Sequence, residues 1–111
     1  KEEKFMLSPT DIKNKKFRRS FFGYDCKEVD AFLEMVYEDY KIMLQKDQWS
    51  IKGKIAITKD GRRLLSALEI HNKEFRRVFR GYDTDEVNEF LDLVIKDVGS
   101  LAIEKKEANN L

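Results

Sequence analysis

Apolar residues fall into the same pattern twice along this chain. Val29, Leu33, Val36, Tyr40 and Met43 follow one another at alternating spacings of four and three, as do Val87, Leu91, Val94, Val98 and Leu101. That rhythm draws one apolar stripe along a helix and predicts a seam for pairing with a second helix. Phe32 and Met35, like Phe90 and Leu93, lie beside the two stripes and widen them to receive a further element. Each stripe is preceded by a helix start: Asp25-Cys26-Lys27-Glu28 and Asp83-Thr84-Asp85-Glu86 both set a capping Asp three residues before a Glu. Upstream, Ser8-Pro9-Thr10-Asp11 and Ser66-Ala67-Leu68-Glu69 read as the starts of two short helices. These bury Ile12 or Ile70 and end near Phe17 or Phe75.

The pattern repeats because the sequence does. A shift of about 58 residues aligns positions 7–40 with 65–98 without a gap, about 18 of 34 being identical. Between each short and long helix lies a loop, F-R-R-S-F-F-G-Y-D in the first copy and F-R-R-V-F-R-G-Y-D in the second. Gly23 and Gly81 are expected to turn the backbone at positive φ. The connection from Gln45 to Leu64 is expected to be ordered: Lys54 to Thr58 alternate weakly like a strand, Asp60-Gly61 suits a small hairpin turn, and Trp49 pins the segment to a helix. Gly99-Ser100 is expected to weaken the second long helix, and the ends, Lys1 to Met6 and Ala108 to Leu111, to fray.

The predicted fold class is therefore all-α. Two tandem units, 1–48 and 65–111, are joined by a linker, 49–64, with the long helices paired as a short parallel coiled coil. A helix of ~22 residues is about 33 Å long and an extended linker of ~16 residues reaches about 50 Å, so the chain can pair with itself. Pairing between two chains uses the same seams and stays open. Tyr40 opposite Val98 sets large against small and favours the internal pair.

Composition narrows the function. Charged residues make up 39% of the chain, yet the net charge is +1, which argues against a nucleic-acid partner. Cys26 is the one cysteine, so no disulfide forms within the chain and a reducing, cytoplasmic setting fits. No apolar run is long enough to span a bilayer, and no leader pattern is present. The first residue is not Met, so the chain can be a piece of something longer. His71 is the one histidine and has no second ligand at metal spacing; Cys26 has no base partner; no phosphate loop or serine elbow occurs. No enzyme, cofactor or metal is expected.

The loops carry the chemistry. Phe21 and Phe22, and Phe79 with Arg80, stand beside Arg18, Arg19, Arg76 and Arg77. Either the rings fold back into the core, or they enter a lipid interface while arginines meet anionic headgroups. A buried Phe contributes about 1.5–3 kcal/mol and an Arg about 1 kcal/mol at an anionic surface, so loops sharing one end bind usefully where one alone is weak. A second candidate is acidic. Asp30 and Glu34 lie on one helix face near Tyr24, with Asn88 and Asp92 near Tyr82, a setting for an arginine-bearing peptide or simply a solvated face.

These stretches, L-S-P-T-D-I-K-N-K-K-F with F-F-G-Y-D and E-V-D-A-F-L, and their second version ending in E-V-N-E-F-L, resemble the N-terminal domain of the DivIVA/GpsB family. The resemblance covers each repeat and leaves out the linker and ends. It implies a cytoplasmic scaffold of bacterial cell division and polarity, peripheral at the inner face of the membrane at septa and poles. It also implies a parallel coiled-coil dimer with crossed loops, self-association, and partners among division or cell-wall-synthesis proteins. A Phe-Arg pair in the crossed loop would bind curved membrane, matched by Phe79-Arg80 and, with an aromatic in place of Arg, by Phe21-Phe22. A Tyr and acidic groove for arginine-bearing tails of cell-wall synthases is matched by Tyr24, Asp30 and Glu34, then Tyr82, Asn88 and Asp92. The family usually carries one such domain before a long coiled coil, whereas this chain has two.

Overall fold

The helix starts are where the sequence puts them, in a computed structural model that describes residues 5–109. Helix α1 (Pro9–Lys13) begins at a capping box in which Ser8 and Asp11 satisfy each other's backbone N–H groups. Strand β1 (Arg19–Tyr24) leads into helix α2 (Cys26–Met43), capped by Asp25, whose side chain accepts from the Lys27 and Glu28 N–H groups. A 3-10 turn (Lys46–Gln48) and two strands, β2 (Trp49–Lys52) and β3 (Ile55–Thr58), form the connection. Helix α3 (Ala67–Asn72) repeats the capping box with Ser66 and Glu69, and β4 (Arg77–Phe79) leads into helix α4 (Thr84–Asn109). Gly99-Ser100 does not interrupt α4, which stays helical through Asn109. Of the ends expected to fray, 1–4 and 110–111 lie outside the described residues.

The all-α expectation is wrong. Among the described residues the fold is mixed, four α-helices with two small antiparallel sheets. Strands β1 and β4 pair in the register Phe22–Phe79, Gly23–Val78 and Tyr24–Arg77. Neither carries a strand pattern of its own, so the sequence alone predicts a loop in each place. Each becomes a strand only because the other crosses it and satisfies its backbone groups. The second sheet is a hairpin of β2 and β3 turned at Gly53-Lys54, with Gly53 at φ 64°. Asp60-Gly61, the expected hairpin turn, makes a second reversal that returns Arg63 beside Ile57.

Helices α2 and α4 run side by side in the same direction. Tyr82 bonds to Asp30 and Tyr24 to Asn88 near their starts, and Tyr40 bonds to Asp97 further along. All ten seam residues are buried, within one core that also takes in Ile12, Ile70, Phe32, Phe90 and Phe75. Each short helix packs on its own long helix and is also tied to the other. The Leu7 N–H donates to Asp97 and the Arg18 N–H to Glu86, so the α1 segment spans α4. Leu65 and Arg76 donate likewise to Asp39 and Glu28 on α2. Phe32 is covered by this arrangement, but Met35, expected beside it, remains 54% exposed.

Trp49 pins the linker as expected. It is buried, its indole N–H donates to the Met43 carbonyl at 2.9 Å, and the Lys105 ammonium sits 4.6 Å from its ring centre. The hairpin thus closes the end of the helix pair where α2 stops and α4 continues. The crossed strands close the other end.

Candidate functional site

At the crossing the two loop segments exchange backbone hydrogen bonds, the outermost of them matched across the repeat. Asp25 N–H donates to the Arg76 carbonyl (2.8 Å) and Asp83 N–H to the Arg18 carbonyl (2.7 Å). Ser20 N–H donates to the Gly81 carbonyl and Arg80 N–H to the Phe21 carbonyl, both at 2.9 Å. Gly23 and Gly81 sit at the centre, and neither has positive φ, contrary to expectation. A Cβ on Gly23 would fall on the Tyr82 carbonyl and 2.6 Å from the carbonyl carbon of Gly81; one on Gly81 would meet Tyr24 and Gly23 in the same way. The glycines are there because two backbones touch. At the crossing it is Arg80 that has positive φ, at 60°.

The crossing carries an aromatic tip. Phe21, Phe22 and Phe79 are 78%, 53% and 62% exposed, and the Phe21 and Phe79 rings meet edge to face at 5.1 Å. The core has no need of them, because Phe17 and Phe75 fill the places where a loop ring could fold back. Phe17 packs 5.3 Å from Tyr82 and 6.0 Å from Phe90, and Phe75 packs 5.2 Å from Tyr24 and 5.8 Å from Phe32.

The surrounding arginines, taken from sequence as one group, have separate tasks. Arg18 forms an ion pair with Glu86, and Arg76 with Asp25. The Arg76 guanidinium holds the Asp25 carboxyl below its ordinary range, and the Arg18 backbone N–H and guanidinium do the same for Glu86. Arg19 donates to the Arg80 carbonyl and Arg77 to the Phe22 carbonyl. Among the described residues Arg80 has no ion-pair partner.

The tyrosine sites are exchanged relative to expectation. Tyr82, not Tyr24, donates to Asp30 (2.9 Å), and Tyr24 donates to Asn88 (3.1 Å). The crossing carries each tyrosine over to the other long helix. Burial, and then the bond to Asp30, push the Tyr82 hydroxyl up to about 12. Glu34 and Asp92 are exposed on the same helices and bond to neither tyrosine.

Two carboxylates escaped the sequence reading. Asp39 and Asp97 are both buried, and each receives the N–H just ahead of a short helix. Asp97 also accepts from the Met6 N–H and from the Tyr40 hydroxyl, which donates as well to the Leu7 carbonyl (2.6 Å). Burial, then Asp97, raise the Tyr40 pKa. The available signal was an Asp at the same place in both copies, directly before the seam residues Tyr40 and Val98.

No helix among the described residues is long and apolar enough to cross a membrane. No solved structure matches the chain. A cell cycle protein GpsB of Bacillus pumilus is 51% identical over 49 residues, 42% of this chain and 48% of that protein. A GpsB of Listeria welshimeri is 45% identical over 49 residues, 42% of this chain and 43% of its own length. A cell division protein DivIVA of Streptococcus pneumoniae is 42% identical over 45 residues, 40% of this chain and 17% of its own. The matches thus span less than half the length of these relatives. The family described as DivIVA protein matches residues 7–61 and again 65–111. With both copies of the doubled loop inside those segments, the chain belongs to the DivIVA family.

Proposed function

We propose that this chain is a non-enzymatic scaffold of bacterial cell division that docks on anionic, curved membrane through its crossed tip, at the inner face of the cell membrane. Units 1–48 and 65–111, joined by 49–64, supply one loop each, so one chain makes a whole tip. The observation that carries the reading is the exposed trio Phe21, Phe22 and Phe79 on a backbone crossing that holds them together, with Arg80, which has no ion-pair partner among the described residues, beside them. Exposed rings cost free energy in water and gain it in the acyl–headgroup boundary, by about 1.5–3 kcal/mol each when fully buried. Support for the cellular role comes from the relatives' names, cell cycle and cell division proteins. The test is sedimentation with vesicles containing anionic lipid. Phe21→Glu with Phe79→Glu is expected to abolish co-sedimentation, and equal binding by variant and wild type would sink the reading.

A second reading is favoured by the Tyr82–Asp30 bond and by the GpsB likeness. The chain then acts as an adaptor that docks arginine-bearing cytoplasmic tails of division or cell-wall-synthesis proteins. Tyr82 with Asp30 and Glu34 forms one groove, and Tyr24 with Asn88 and Asp92 a less acidic one. Asp30→Ala is expected to abolish binding of an Arg-rich peptide in a calorimetric titration and to leave vesicle binding unchanged. An unaltered titration would reduce the groove to a solvated surface.

A further inference from the structure

We infer that Arg19 and Arg77, which by residue type look like headgroup contacts, are positioning residues for the aromatic tip. The inference rests on the tip-insertion reading and names what keeps that tip in shape. Arg19 Nη1 donates to the Arg80 carbonyl at 3.2 Å, and its guanidinium lies 5.7 Å from the Tyr82 ring centre. Arg77 Nη2 donates to the Phe22 carbonyl at 3.0 Å and lies 5.5 Å from the Phe22 ring and 5.8 Å from that of Tyr24. The carbonyl and tyrosine partners of one set are matched by the residues 58 positions away in the other, so the device occurs twice, and Arg77 adds a contact to the Phe22 ring that Arg80 cannot offer Arg19. Each guanidinium reaches from its own segment to the other and takes the carbonyl just before the crossing glycine.

The position of that carbonyl matters. The β1–β4 ladder is short and the rings it presents stand in water, so the local strand pairing alone holds them weakly. A planar guanidinium that donates in plane and stacks on a ring fixes both backbone and aromatic at once. The two staples do not carry equal loads. Phe22 is ordinary extended strand, whereas Arg80 sits at φ 60°, a conformation that resists a side chain. Arg80 is held there by its N–H bond to Phe21 and by the Arg19 staple. Arg19 therefore secures a strained turn and Arg77 a relaxed one. Arg18 and Arg76 are engaged with Glu86 and Asp25, which leaves the Arg80 side chain to face a headgroup.

Lysine separates the roles, since it keeps the charge and loses the fork. The full chain is sedimented with vesicles of phosphatidylcholine alone and with a phosphatidylcholine–phosphatidylglycerol mixture. Arg19→Lys with Arg77→Lys is expected to weaken binding to both by about tenfold, the effect of one ring no longer inserting. Arg80→Lys is expected to stay within about twofold of wild type, because a point charge suffices at a headgroup. Contact between the Phe21 and Phe79 ring protons, read by NMR without lipid, is expected in wild type and lost in the double variant. If the double variant unfolds, the single variants are compared, with Arg19→Lys losing more ring contact than Arg77→Lys. Wild-type binding together with retained ring contact in the lysine variants overturns the inference. If wild type binds neither vesicle, insertion fails as a function; the ring contact then decides the positioning role, its loss in the variants supporting that role and its persistence overturning it.

Discussion

Asp39 and Asp97 occupy corresponding places in the two halves and receive the same kind of backbone N–H, yet each is stabilised differently. Asp39 takes the Leu65 N–H at 2.9 Å and the Arg62 guanidinium at 3.1 Å. Asp97 takes the Leu7 N–H at 2.9 Å, the Met6 N–H and the Tyr40 hydroxyl both at 3.1 Å. A buried carboxylate must be met by a cation or by several donors, and each half uses the solution within its reach. The residue matching Tyr40 is Val98, which has no donor to offer Asp39. Arg62 comes from the linker, and the linker enters α3 only. The Asp25–Arg76 and Asp83–Arg18 backbone contacts are reciprocal across the crossing, each half completing the other. Side-chain partners differ because the two halves of one chain are not identical.

The largest loss is expected at the crossing, where the two halves behave alike. Gly23→Ala and Gly81→Ala each force a methyl group into the opposite backbone, and each is expected to cost about 3 kcal/mol or more in urea unfolding. A large loss from one and none from the other would show that the contact is not shared. Next come the carboxylates. Asp97→Ala leaves the Met6 and Leu7 N–H groups without a partner and is expected to cost about 2–3 kcal/mol, with Tyr40→Phe costing about 1 kcal/mol. Arg62→Gln is expected to cost less than about 1 kcal/mol, since its side chain is half exposed and screened. A double-mutant cycle of Tyr40→Phe with Asp97→Asn checks the coupling. Additive effects would mean that the phenol is not what stabilises Asp97.

The smallest effect concerns Asp25 and Glu86, whose folded pKa values are lowered by Arg76 and Arg18. A carboxylate with a lowered folded pKa adds stability above its unfolded value, about 4, and loses it as pH falls through the folded value. The crossing should therefore loosen at acid pH below that range. Arg76→Gln is expected to move the Asp25 titration, followed by carboxyl NMR shifts, back up toward the unfolded value. An unmoved midpoint would assign the lowering to the helix N-terminus instead.

Much of this was written locally. Ser8 with Asp11, Ser66 with Glu69 and the capping Asp25 and Asp83 determined where helices begin, since a cap acts over three residues. The spacing of the apolar residues determined the buried seam, whereas the exposure of the loop rings was decided only when Phe17 and Phe75 took the places beneath them. Tertiary structure decided the rest. Neither β1 nor β4 is a strand until the other crosses it, and that pairing joins residues more than fifty positions apart. The same crossing exchanged the partners of Tyr24 and Tyr82, put Gly23 against Gly81 for contact rather than for positive φ, and brought Arg19 and Arg77 within reach of the Arg80 and Phe22 carbonyls. Caps and periodicity are properties of a segment and can be read from it. A crossing is a property of two segments, and its chemistry exists only once both are in place.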